Sequence, residues 1–135
     1  MKRAKVFFYG LFMDEELLRA KGVRPEGGEL AMVNGFTLQI GRRATLVPTP
    51  GGLVYGLVFS LTLSELDLLY SEPSVRAYRP TAVMAKLASG GVIAALCYDL
   101  PQPPSSLERN PEYAAKLRAL AQKIGLPDDY VASLE

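Results

Sequence analysis

The chain has 135 residues, nearly half of them hydrophobic, with 15 basic against 14 acidic side chains and no histidine. That length predicts one domain, spanning 1–135, whose core closes without disulfide or metal staples. Balanced charge with no long single-sign run gives no basis for attraction to nucleic acid or an anionic membrane, and the missing imidazole excludes Ser-His-Asp and Cys-His nucleophiles in their usual form and most catalytic zinc sites.

The basic start, Lys2-Arg3-Lys5, runs straight into an alternating strand and lacks the apolar region and small-residue cleavage site of a secretory signal. No apolar run approaches the ~20 residues of a membrane helix, so a cytoplasmic protein is expected. "AKVFFY" (4–9) is rich in strand formers. A short helix is expected over 14–21, where the acidic residues favour its N-terminus. "ELAMVNGFTLQI" (29–40) reads as two short runs broken by a turn or bulge at Asn34-Gly35. "GRRATLVPTPGG" (41–52), with two prolines and a double glycine, reads as a loop. "LVYGLVFSL" (53–61) reads as a buried strand in which Gly56 marks a bulge or a close backbone approach.

A second helix spans Thr62 to Ser71. Thr62 with Glu65 three residues on fits a capping box, and Leu66, Leu69 and Tyr70 share a face. "RPTAVMAKL" (79–87) and "VIAALCYDL" (92–100) pair as a hairpin around Ser89-Gly90-Gly91. The one cysteine, Cys97, lies in the second of these runs and reads as a small buried hydrophobe. "PQPPSSLERNP" (101–111) favours an extended arm across the surface. Asn110-Pro111 then opens a helix with Tyr113, Leu117, Leu120 and Ile124 as its apolar stripe, Gly125 as a left-handed cap, and a last short helix after Pro127. Left exposed, that stripe could pair two copies into a homodimer. Short recurrent strands with inserted and appended helices argue for an α+β fold with a strongly curved or barrel-like sheet.

Without histidine or paired cysteine, chemistry must rest on carboxylates, tyrosines, lysines, arginines or backbone amides. The strand-to-helix junction "YGLFMD" offers successive amides that can hold an anion or oxyanion, with Gly10 allowing unusual backbone geometry or a close ligand approach. The plainer reading is a tight turn with apolar residues tucked inward. Glu72 stands between an apolar helix face and Pro73. A helix C-terminus disfavours a carboxylate, and burial near Tyr70 or Tyr78 disfavours it further; both raise a carboxyl pKa toward the range of a general base. Its plainer reading is a solvated glutamate paired with Arg76 or Arg79. Tyr55, Tyr78 and Tyr98 are further polar handles, each with a structural alternative. Arg42-Arg43 could meet a substrate carboxylate or simply form a solvated loop. Neither a P-loop lysine nor GxGxxG is present, so phosphate cradling is not supported.

In order along the chain, "VFFYGLFM", "LVYGLVFSLTLSELDLLYSE", "YRPTAV", "VIAALCY" and "PEYAAKLRALAQKIGLPDDYVASL" resemble the γ-glutamylcyclotransferase-like (AIG2-like) family over nearly the whole sequence. The resemblance implies a small mixed or antiparallel β-barrel with flanking helices. It implies that Glu72 is the acid/base carboxylate, that the loop Tyr9-Gly10-Leu11-Phe12-Met13 binds a γ-glutamyl group through its backbone, and that Tyr78 and Tyr98 line the pocket. The implied reaction is cyclisation of a γ-glutamyl amino acid, peptide or amine to 5-oxoproline, with no metal or organic cofactor. A small-ligand-binding relative and a hydrolase on the same scaffold are the alternatives. Leu11-Phe12 stand where relatives carry small or polar residues after Tyr-Gly, so side-chain hydrogen bonds from those positions are missing.

Overall fold

The computed structural model of the protein describes residues 2–105 and 107–135. Five strands form a closed barrel: β1 (Arg3–Phe8), β2 (Glu26–Ile40), β3 (Ala44–Thr62), β4 (Arg79–Leu87) and β5 (Val92–Asp99). Their order around the barrel is β1-β3-β2-β4-β5. Neighbours run antiparallel except at the seam, where β5 lies parallel to β1 with Val6 opposite Leu96. The expected α+β barrel of mixed strands is thus the observed one.

Four helices cover it: α1 (Glu15–Ala20), α2 (Leu63–Leu69), α3 (Pro111–Ile124) and α4 (Asp128–Ser133). Val6, Phe7, Phe8 and Tyr9 are all buried, so β1 reads as a continuous apolar run rather than an alternating one; such a run marks a strand covered on both faces. α3 buries Ala114, Leu117 and Ala121, and Tyr113, Leu120 and Ile124 pack beside them against the same core. The apolar stripe of α3 is thus largely turned onto the chain's own barrel. Cys97 is fully buried, as expected.

Two local expectations are corrected. Residues 29–40 are not two runs but part of one strand, and Asn34-Gly35 is a bulge: the pairing with β3 shifts between Asn34 and Phe36, and Gly35 takes a φ of 88°. Segment 41–52 is mostly strand, with Ala44 opposite Ile40 and Pro48 opposite Phe36. The prolines are tolerated because β1 pairs only with the Leu57–Thr62 end of β3. The proline-bearing part has no partner strand on its outer side, so missing N–H groups leave few ladder bonds unmade. The Pro-rich segment crosses the tip of this hairpin: Gln39 Nε2 donates to Pro104 O (2.9 Å), and Glu108 accepts from the Arg42 amide (3.3 Å).

Capping follows the sequence closely. Thr62 Oγ1 accepts from Glu65 N (3.1 Å) while Glu65 Oε1 accepts from Thr62 N (2.8 Å), the reciprocal box that starts α2. Glu65 Oε2 also accepts from the Arg24 amide (2.6 Å), tying the chain entering β2 to the start of α2. Thr62→Ala removes one acceptor from a buried helix start and is expected to cost about 1 kcal/mol, read as a lowered urea midpoint at unchanged slope. An unchanged midpoint would mean that water replaces the hydroxyl.

Candidate functional site

Three separate pieces of chain meet at one end of the barrel. β1 delivers Tyr9-Gly10 and a single 3-10 turn, Leu11–Met13, before Asp14 caps α1 by accepting from the amides of Glu16 (3.0 Å) and Leu17 (3.4 Å). α2 ends at Leu69, and the turn after it carries Glu72. The β2–β3 turn brings Arg42 and Arg43. Between them lies a cavity of about 300 Å³, at the lower end of the roughly 300–1,000 Å³ usual for small-molecule sites.

Tyr9, Gly10, Leu11, Phe12, Glu72, Tyr78 and Tyr98 all line this cavity, so seven of the eight residues singled out as a site are brought together. Met13 stands apart: its side chain is 1% exposed and its amide donates to Gly10 O (3.0 Å). Tyr55 also stands apart, packed edge-on against Tyr130 with ring centroids 5.1 Å apart.

Gly10 matters for space rather than for an unusual backbone. Its φ is −117°, which any residue can adopt, but a Cβ there would lie 2.6 Å from Tyr113 Oη. That hydroxyl accepts from the Leu11 amide at 3.4 Å, a long bond. The side chains of Leu11 and Phe12 wall the cavity. Phe12 meets Tyr70 edge-on (centroids 5.8 Å), and Tyr70 stacks flat on Tyr98 (3.9 Å, 10°). Tyr9 Oη donates to Tyr98 O (2.7 Å), and Tyr78 Oη donates to Ala44 O. Burial pushes the phenols of Tyr9, Tyr70, Tyr78 and Tyr98 above the ordinary phenol value, so these walls stay uncharged at neutral pH.

Glu72 is the one carboxylate on the lining. The burial expected around it is only partial: its side chain is 39% exposed. Its partner is neither Arg76 nor Arg79. Lys21, the C-cap of α1, places Nζ 2.8 Å from both Glu72 oxygens. Arg79 instead donates to the carbonyls of Arg76 and Tyr78. The pair joins the exits of α1 and α2 and fixes where the carboxylate points.

Lys21, Tyr70, Ser74 and Tyr113 are the polar lining residues that the sequence did not single out as a site. Tyr70 and Tyr113 were legible only as members of apolar helix faces. Among the described residues no group of three His, Cys, Asp or Glu side chains can hold a metal ion, and no helix is long and apolar enough to cross a membrane.

No curated protein matches the sequence. Among solved structures, a gamma-glutamyl cyclotransferase has the same fold (TM-score 0.82, 22% identity, 99% of this chain and 89% of that one). So does an uncharacterized protein from Homo sapiens (TM-score 0.81, 21% identity, 100% and 89%). An AIG2-like protein from Mus musculus is more distant (TM-score 0.60, 16% identity, 87% and 95%). The model of the AIG2-like family matches residues 53–134, which run from the inner half of β3 through the Glu72 turn and β5 to the last helix, and on that match the chain belongs to the AIG2-like family.

Proposed function

We propose that the protein is a γ-glutamyl cyclotransferase, converting a γ-glutamyl amino acid, peptide or amine to 5-oxoproline and a free amine. The observation that carries this reading is the sharing of one cavity by the Glu72 carboxylate and the Tyr9–Phe12 turn. A base and a set of main-chain amides within one small, aromatic-walled space suit an intramolecular acyl transfer. Family membership and the fold shared with a gamma-glutamyl cyclotransferase support it.

In this reading the substrate's free α-amine attacks its own γ-carbonyl. A C–N bond closes the five-membered lactam, the old amide C–N bond breaks, and the proton lost by the attacking nitrogen ends on the leaving one. Glu72 carries that proton. The attacking nitrogen gives up its proton as bond formation acidifies it. Such a base contributes roughly 10²–10⁴-fold. The amides of the Tyr9–Phe12 turn steady the substrate carboxylate or the oxyanion. Because both reacting groups belong to one molecule, the walls contribute mainly by holding it folded near attack geometry.

The test is product identity. Purified protein is offered γ-glutamyl dipeptides, γ-glutamylamines and glutathione, and products are separated by mass. Release of 5-oxoproline is expected. Free glutamate instead would mean a hydrolase with Glu72 activating water. Saturable binding without turnover would mean a binding protein using the same pocket.

A further inference from the structure

The charges around the cavity do not balance. Lys21, Arg42 and Arg43 line it against the single carboxylate of Glu72. Lys21 is matched by Glu72 at 2.8 Å. Among the described residues, no carboxylate lies within ion-pair distance of the Arg42 or Arg43 guanidinium. The Glu108 carboxylate is turned onto the Arg42 backbone amide instead.

The turn carrying these arginines is also anchored. Gly41 N donates to Arg43 O (3.0 Å), Asn110 Nδ2 donates to Arg42 O (3.1 Å), and Tyr78 Oη donates to Ala44 O. A solvated loop would need none of these ties. Arg43 is half-buried, and its positive field reaches the Tyr78 phenol, opposing the stronger effects of burial and Tyr113. A half-buried guanidinium without a carboxylate partner, on a backbone already fixed, is preorganised to take an anion.

We propose that Arg43, assisted by Arg42, forms a subsite for a carboxylate on the leaving amine, and so selects substrates whose leaving group is an amino acid or peptide with a free acid over neutral amines. The subsite rests on the cyclotransferase reading, in which the cavity holds the γ-glutamyl group against Glu72 and the Tyr9–Phe12 turn. The leaving group then extends toward the β2–β3 turn, which carries the two arginines of the lining. A planar fork meeting a carboxylate makes charge-assisted hydrogen bonds that a carboxamide of the same shape cannot match.

The test compares γ-glutamyl-alanine with γ-glutamyl-alaninamide, which differ only in that charge. Wild type is expected to favour the acid at least roughly tenfold in kcat/KM, the scale of a lost charged hydrogen bond. In Arg43→Gln the acid-to-amide ratio is expected to fall to near one, with Arg43→Lys recovering part of it. A ratio near one in wild type, or one untouched by Arg43→Gln, would overturn the subsite while leaving 5-oxoproline release, and so the cyclotransferase reading, intact.

Binding is measured separately by calorimetry in Glu72→Gln, with and without Arg43→Gln. Tighter binding of the acid that disappears with Arg43 sustains the subsite even if no 5-oxoproline forms, in which case only the cyclotransferase reading has failed. Equal binding of acid and amide, or binding of neither, overturns the subsite.

Discussion

Replacing Glu72 by glutamine is expected to lower kcat for 5-oxoproline release at least ~100-fold, with a smaller change in KM. The amide is the same size and still offers one oxygen to Lys21, but it cannot carry a proton between the attacking and leaving nitrogens. Glu72 is 39% exposed and Lys21 25% exposed, so their ion pair adds roughly 0–1 kcal/mol and the variant should stay folded. Unchanged circular dichroism and a melting temperature within a few degrees of wild type would confirm that. A loss confined to KM would recast Glu72 as a group that binds the substrate ammonium. Activity retained in the folded variant would leave proton transfer to another group and remove Glu72 from the acid/base role.

The Lys21–Glu72 pair also shows where reading the sequence stops. Glu72 was legible because a carboxylate before Pro73, at the exit of an apolar helix, is a local anomaly. Its partner was not, because 51 residues separate the two and only tertiary packing brings the ends of α1 and α2 together. Local rules held where the physics is local: the Thr62–Glu65 box, the Asn110 cap with Pro111 behind it, and the left-handed Gly125 all appear as the residues require. They failed at 41–52. There two prolines outweighed the β-formers Thr45, Leu46 and Val47, and only the barrel topology reveals that this part of β3 has an open edge that accepts proline. Tyr113 was assigned correctly to the apolar face of α3, yet its hydroxyl reaches the Leu11 amide across 102 residues. An amphipathic pattern says which face turns inward. It does not say what the polar tip of an inward tyrosine will meet.

Gly56 joins the barrel to the site, and Gly56→Ala is expected to be the most damaging single-methyl change in the sheet. A Cβ at this position would lie 2.1 Å from the carbonyl oxygen of Phe8, with the Phe7 ring at 2.9 Å. The obstacle is backbone, which cannot swing aside as a side-chain tip can. Relief requires β1 and β3 to part beside their Phe8–Leu57 pairing, where β1 leads into Tyr9-Gly10. Overpacking ordinarily costs 1–3 kcal/mol, and a clash with main chain belongs at or above the top of that range. About 3 kcal/mol corresponds to a fall in Tm on the order of 10 °C for a domain of this size. Gly90→Ala is the matched control. That glycine has a φ of 98° but open space around it, so the backbone penalty alone applies, about 1 kcal/mol. A similar loss in both variants would mean that the close approach of β1 and β3 is not what Gly56 protects. If Gly56→Ala is the more damaged, its surviving folded fraction should also lose turnover, because the strand that must shift is the one that places the Tyr9–Phe12 turn opposite Glu72.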